Sequence, residues 1–257
     1  MELHKQPDNN VYFQQDDEQR QALDVLQDGI SSIELIRASG SDLDVVNAAR
    51  VSYGKVSTQL SERDKKLINF LMKYDHTSPF EHNQLSFRVK APMYVVRQWM
   101  RHRISSYNEI SYRYVKAPLE FYTPRYWRYQ DTQNRQGSVG RFDDKQLLDE
   151  YTKTLNITRE TYERMLENGV AREQARGILP VCTYTEFIYT CNLLSLSHFL
   201  KLRIKEDAQY EIRQYAKGLL KLALPHFPAS LEAWKKKNNI DDEIFDSILK
   251  TGHNDNK

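Results

Sequence analysis

Cysteine is nearly absent. Cys182 and Cys191 are the only two in 257 residues, and they form no Cys-x-x-Cys. Nothing points to a disulfide framework, so a reducing compartment, the cytoplasm, is expected. Long apolar runs are missing too. No stretch approaches the ~20 apolar residues of a membrane span, and residues 1–28 are polar, without the apolar core of a signal peptide. Net charge is small, +2, which gives no general pull toward a long polyanion. There is no internal repeat and no convincing linker. What remains is an ordinary globular composition, 40% hydrophobic and 28% charged. A chain of this length can bury about three quarters of its unfolded surface and needs no staples. It divides into a polar N-terminal extension (1–31), a main domain (32–228) and a C-terminal tail (229–257).

The charge is unevenly spread. Between Ala91 and Gln130 there are seven Lys/Arg and two Asp/Glu, a local +5, which leaves −3 for the rest. A positive field on a near-neutral protein suits small anionic ligands. Within it, 101–114 reads Arg-His-Arg-Ile-Ser-Ser-Tyr-Asn-Glu-Ile-Ser-Tyr-Arg-Tyr. Three guanidinium forks in one short segment suit a bound anion. Glu109 among them can orient the arginines or accept a ligand's N–H. An isolated Arg-His-Arg triplet would be an ordinary solvated basic face.

Local patterns outline the elements. Residues 32–37 alternate as a strand. Ser41 caps a helix over 42–50, with Leu43, Val45 and Val46 inward. Ser61 and Asp64 form a capping box for a helix burying Leu67, Ile68, Phe70, Leu71 and Met72. Pro79 makes 76–82 a loop. Its two histidines and glutamate lack the His-Glu-x-x-His spacing that sets two ligands on one helical face, so no metal is assigned. Leu85, Phe87 and Val89 alternate in a half-buried strand. Pro92 opens a helix running to Met100, which sets Gln98 and Arg101 on one face at its end. Residues 130–140 read as a loop. Residues 145–168 form a long amphipathic helix closed by Gly169, with Leu147, Leu148, Tyr151, Leu155, Ile157, Tyr162 and Leu166 on its apolar face. A short helix from 171, a strand over 183–192, and helices over 195–202 and 208–222 follow. Weak helical patches lie around Leu23 and Leu26 and around Ile244 and Ile248.

Between Tyr107 and Tyr129, rings interleave with Arg113, Lys116, Arg125 and Arg128. That pattern also serves single-strand nucleic-acid grooves, so a nucleic-acid-binding module is the alternative function.

Arg101-His102-Arg103, seven residues, then Ser111 resembles the signature of the flavin-dependent (alternative) thymidylate synthases, with Glu109 and Arg113 also in register. Residues 76–82 resemble the family's second block, with Ser78 where Thr is common. Residues 170–180 resemble the third, and Leu202-Arg203 matches a further motif. The resemblance spans about 32–226. It implies an α/β (α+β) fold, a mostly antiparallel sheet flanked by helices. It implies a methyltransferase making dTMP from dUMP, with methylenetetrahydrofolate as carbon donor, FAD as hydride carrier and NADPH as reductant. It implies dUMP contacts at Gln98, Arg101, Glu109, Ser111, Arg113, Arg176 and Arg203. FAD contacts are implied at Ser78, Arg101, His102, Arg103, Glu109, Asn192 and His198, the last where some members have Asn. Arg203 is the substrate-activating residue by this resemblance, and the assembly a homotetramer whose subunits share active sites. No nucleic acid or membrane is expected as a partner.

Overall fold

The computed structural model describes residues 22–116, 119–242 and 245–246. The polar stretch 1–21 and the patch around Ile244 and Ile248 lie outside them. Four antiparallel strands form the central sheet in the order β1 (Ser32–Ser39), β2 (Gln84–Pro92), β6 (Tyr184–Cys191) and β3 (Ser106–Glu109). Helices α1 (Asp42–Arg50), α2 (Glu62–Lys73), α3 (Met93–Trp99), α6 (Leu193–Arg203), α7 (Tyr210–Ala223) and α8 (Pro228–Lys237) surround it. A second hairpin, β4 (Trp127–Gln130) with β5 (Ser138–Phe142), precedes the long α4 (Lys145–Glu167) and short α5 (Arg172–Ala175).

Alternation drives the sheet. Leu85, Phe87 and Val89 of β2 are fully buried and Arg88 is exposed. The centre of the core is aromatic. Trp99, at the end of α3, touches Phe187, Tyr189, Phe199 and Tyr215 at ring-centroid distances of 4.8–5.7 Å. Rings of this size carry most of the buried apolar area, and here they fix where α3 ends. The Ser61–Asp64 capping box is present at the start of α2, and Asp64 also pairs with Arg50 of α1. Gly40 is, among the described residues, the one turn that needs glycine twice over. Its φ is +90°, and a Cβ there would stand 3.0 Å from Asn83 Cβ.

Several elements depart from the pattern reading. Phe70 is 50% exposed because it lies on the outer edge of α2's apolar stripe. Leu147 and Ile157 of α4 are exposed as well, and only Leu155 and Tyr162 of that helix are buried. Residues 130–140 are the tip and one arm of the β4–β5 hairpin. The patch at Leu23 and Leu26 is not helical. Leu23 bridges to Ile33 and Leu26 enters the core. Helix α8, which falls in the stretch assigned to the C-terminal tail, buries Trp234, whose Nε1 donates to Ser197 O at 3.1 Å. Its first turn is capped from a distance. Asp42, the first residue of α1, accepts from Ala229 N at 2.7 Å and from Ser230 N at 2.9 Å. These are two of the donors a helix start leaves open.

Candidate active site

Helix α3 stops at Trp99 because its ring is locked in the core, and the chain turns through Met100–Arg103. The turn is held by His102 N donating to Trp99 O at 3.0 Å. Tyr107 OH then donates to His102 O at 2.7 Å, while its ring stacks on Tyr189 at 5.4 Å. Part of the signature is therefore a strand: β3 pairs with β6 from Ser106 opposite Thr190 to Glu109 opposite Phe187. A short segment with one apolar residue gives no strand pattern of its own. The edge of β6 supplies the hydrogen bonds.

The turn meets the end of α6. Arg203 Nε donates to His102 Nε2 at 3.1 Å, and its Nη2 donates to Gln98 O at 3.3 Å. Gln98, His102 and Arg203 thus form one cluster although about a hundred residues separate them. His102 packs its ring on Phe199 at 4.7 Å. Burial, then the charge of Arg203, then that of His198, push its pKa down to about 4. Its imidazole is therefore neutral at pH 7, with the Nε2 lone pair turned to Arg203. Burial lowers the pKa of Arg203 too, yet a guanidinium stays protonated in proteins.

Behind this cluster lies a polar support that the sequence reading missed. Gln98 Nε2 donates to Gln209 Oε1. Gln209 Nε2 donates to Glu211 Oε2 at 2.8 Å, and Glu211 Oε1 accepts from Arg128 Nη2 at 2.7 Å and Tyr122 OH at 3.2 Å. Glu211 is 1% exposed. A charge so buried persists only when paired and hydrogen-bonded. A glutamate in the first turn of an amphipathic helix gives no such signal, because its partners come from 83 and 89 residues away.

A second group sits at the other end of β3. Glu109 Oε1 accepts from Thr185 Oγ1 at 2.7 Å, so a threonine of β6 orients it rather than the neighbouring arginines. Arg113 reaches Glu173 of α5 at 3.9 Å, and Arg172 Nη1 donates to Tyr114 O at 3.1 Å. These contacts tie Ser111 and Arg113 to the block carrying Arg176, which is exposed in the turn after α5. Among the described residues, no hydrogen bond or ion pair joins this group to Gln98, His102 or Arg203.

The third group gathers around the start of α6. Asn192 is its N-cap, with Oδ1 accepting from Ser195 N at 2.8 Å. Ser78 is exposed on a 3-10 turn (Ser78–Glu81) packed against α6, and His198 is exposed on α6 itself. Asn83 fastens the loop there by accepting from Leu193 N at 2.8 Å. Its Nδ2 is buried without a partner among the described residues. Arg101 and Arg103 are exposed, and neither has a carboxylate partner among the described residues. Exposed forks, an open hydroxyl and an amide at a helix start form a donor set that fits a dinucleotide's phosphates and a ring's polar edge.

The Tyr/Arg segment is divided, with Tyr114 and Tyr129 exposed and other rings packed inside. Tyr112, Phe121 and Tyr122 are buried and Arg128 is bound to Glu211.

Comparison with known proteins places the chain in a family. The family model "Thymidylate synthase complementing protein" (Thy1) matches residues 34–229. A flavin-dependent thymidylate synthase from Kosmotoga olearia is 46% identical over 214 residues, 82% of this chain and 91% of that one. One from Thermus thermophilus is 44% identical over 204 residues, 79% of this chain and 75% of that one. The UMP/dUMP methylase PolB from Streptomyces cacaoi, solved with 5-Br dUMP bound, superposes with a TM-score of 0.75. It is 36% identical, and the match covers 82% of this chain and 97% of that chain. With the family model spanning most of the chain and relatives this similar, the chain belongs to the flavin-dependent thymidylate synthase (Thy1) family.

Proposed function

We propose that this protein makes dTMP from dUMP by reductive methylation. Methylenetetrahydrofolate is the carbon donor, FAD the cofactor and NADPH the reductant. The observation that carries the reading is the Arg203–His102–Gln98 cluster, which joins two of the family's motifs in one hydrogen-bonded unit. Arg101, Ser111, Arg113 and Arg176 supply donors for the nucleotide phosphate and sugar. Arg203 places a fixed positive charge against the N3 edge of uracil. A negative ring has an electron-rich C5 without a thiolate adduct, and a preorganised charge favours that form. Neutral His102 accepts from Arg203 and so orients its fork. Gln98 and Glu109 are placed for the base and for a ligand N–H. Ser78, Arg101, His102, Arg103, Glu109, Asn192 and His198 would hold FAD, which when bound carries the hydride that completes the methyl group. No cysteine is needed. Cys182 and Cys191 are buried, and burial pushes Cys191 up to about 12.

The proposal includes a homotetramer with shared sites. In one chain the nucleotide set is split, with Gln98, Arg101 and Arg203 in one cluster and Ser111, Arg113 and Arg176 in another. Ile104, 76% exposed, and Leu202, 58% exposed, flank the first cluster as uncovered apolar side chains. A second copy that covers them and brings its own Arg113 and Arg176 would complete the set. Among the described residues no helix is long and apolar enough to cross a membrane, and both cysteines are free thiols, which supports a cytoplasmic protein.

The test is direct. Incubate purified protein with FAD, NADPH, methylenetetrahydrofolate and dUMP, and follow dTMP by chromatography and the flavin by its visible spectrum. Turnover with flavin bleaching on NADPH addition is expected. No dTMP and no flavin uptake at tens of micromolar FAD would reject the reading.

A further inference from the structure

A groove of about 930 Å³ runs between the segment after α1 and the outer face of α2. Its charge is one-sided. Lys55, Arg63 and Lys66 line it; Lys66 and Arg63 feel the charges of Glu62 and Asp64 on α2, but neither carboxylate lines the groove. Arg50 also borders it but is neutralised by Asp64, and no aspartate or glutamate is in the lining among the described residues. Arg63 and Lys66 stand three apart, on one face of α2. Lys55 comes from the loop that forms the other wall. The floor carries rings left out of the core. Tyr53 is exposed, and Phe70 faces His76 at 5.7 Å. His76 closes the groove two residues before Ser78, so it opens beside the loop given above to the flavin.

Resting on the synthase reading, we propose that this groove binds the γ-linked polyglutamate tail of the folate co-substrate. Each added glutamate contributes one carboxylate on a flexible, extended chain. Separated lysines on flexible stems suit such a ligand, because they act as mobile point charges. A phosphate group asks for something else, converging arginine forks or an open helix N-terminus. Here the start of α2 is already closed by the Ser61–Asp64 capping box and opens with Glu62. The exposed rings suit the flat p-aminobenzoyl unit that joins tail to pterin.

The test uses the full chain with FAD and two pterin-free probes, p-aminobenzoyl-monoglutamate and p-aminobenzoyl-pentaglutamate, by titration calorimetry. The pentaglutamate should bind at least about 10-fold tighter, with the advantage shrinking as salt rises. In a Lys55→Ala/Lys66→Ala variant the advantage should fall by about 10-fold, the scale of two exposed charge contacts. In turnover, the variant's KM should rise by a similar factor for pentaglutamylated methylenetetrahydrofolate. It should hold for the monoglutamate, dUMP and NADPH, with kcat unchanged. Equal binding of the two probes by the wild type, or an undiminished advantage in the variant, would overturn the proposal. So would a rise in KM for NADPH in place of the folate, which would assign the groove to the reductant. Loss of dTMP formation with probe discrimination intact would defeat the synthase reading and leave the tail site standing. Normal dTMP formation without discrimination would do the reverse.

Discussion

Replacing Arg203 by alanine separates its two roles in the site. The first is electrostatic and local. Its Nε lies 3.1 Å from His102 Nε2, and its charge is the second cause, after burial, of the histidine's low pKa of about 4. Burial survives the substitution and the charge does not. Since burial is the larger cause, His102 should rise above its value of about 4 but stay below the free value of about 6.5. The second role is chemical. One preorganised donor is typically worth about 10²–10³ in rate, so dTMP formation should fall by that factor while NADPH still reduces the bound flavin. Arg203→Lys should recover part of the rate, because charge survives and the planar fork does not. Histidine resonances followed by NMR across pH 3–8, with dTMP and flavin reduction measured separately, give both readouts. A His102 that still titrates near 4 would refute the electrostatic account. A normal dTMP rate at saturating dUMP would refute the chemical one.

Other outcomes follow from the same geometry. His102 has a depressed folded pKa, so its contribution to stability is complete above the unfolded value of about 6.5 and is lost as pH falls through about 4. Urea midpoints measured between pH 7 and 4 should show that loss, and His102→Asn should flatten it. Glu211→Gln leaves the partly buried Arg128 opposite a neutral amide, and should cost about 3 kcal/mol in chemical denaturation as well as lowering kcat through the Gln209–Gln98 support. Unchanged stability would mean the pair is not formed. Asp42→Ala removes both donors' acceptor at the start of α8 and should cost about 2 kcal/mol, with Trp234 fluorescence reporting the loss. Cys182→Ser/Cys191→Ser should still make dTMP, and turnover lost with folding and flavin binding intact would put a thiol back into the chemistry. Mixed and reassembled Arg101→Ala and Arg203→Ala proteins should partly complement, and no rescue in proven mixed oligomers would argue for self-contained subunits.

The sequence by itself determined the elements whose signal is local. Alternation in 84–90 made β2, the Ser61–Asp64 box started α2, and Gly169 ended α4, because backbone propensity and the spacing of apolar side chains act within a few residues. It also carried the family, since the Arg-His-Arg block, Ser111, Arg176 and Arg203 stand in chain order. Tertiary structure decided what those residues touch. Ser106–Glu109 has no strand pattern and became one at the free edge of β6. Glu109 was taken up by Thr185, which sequence proximity to arginines could not foretell. Glu211 carries no local signal and became the buried anchor of Arg128, Tyr122 and Gln209. Helix α8 owes its start to a carboxylate 187 residues away. Phe70, Leu147 and Ile157 fit apolar stripes that run wider than the faces α2 and α4 bury. In each case the deciding partner is distant along the chain. Periodicity measures a segment against itself, and only folding sets it against its neighbours.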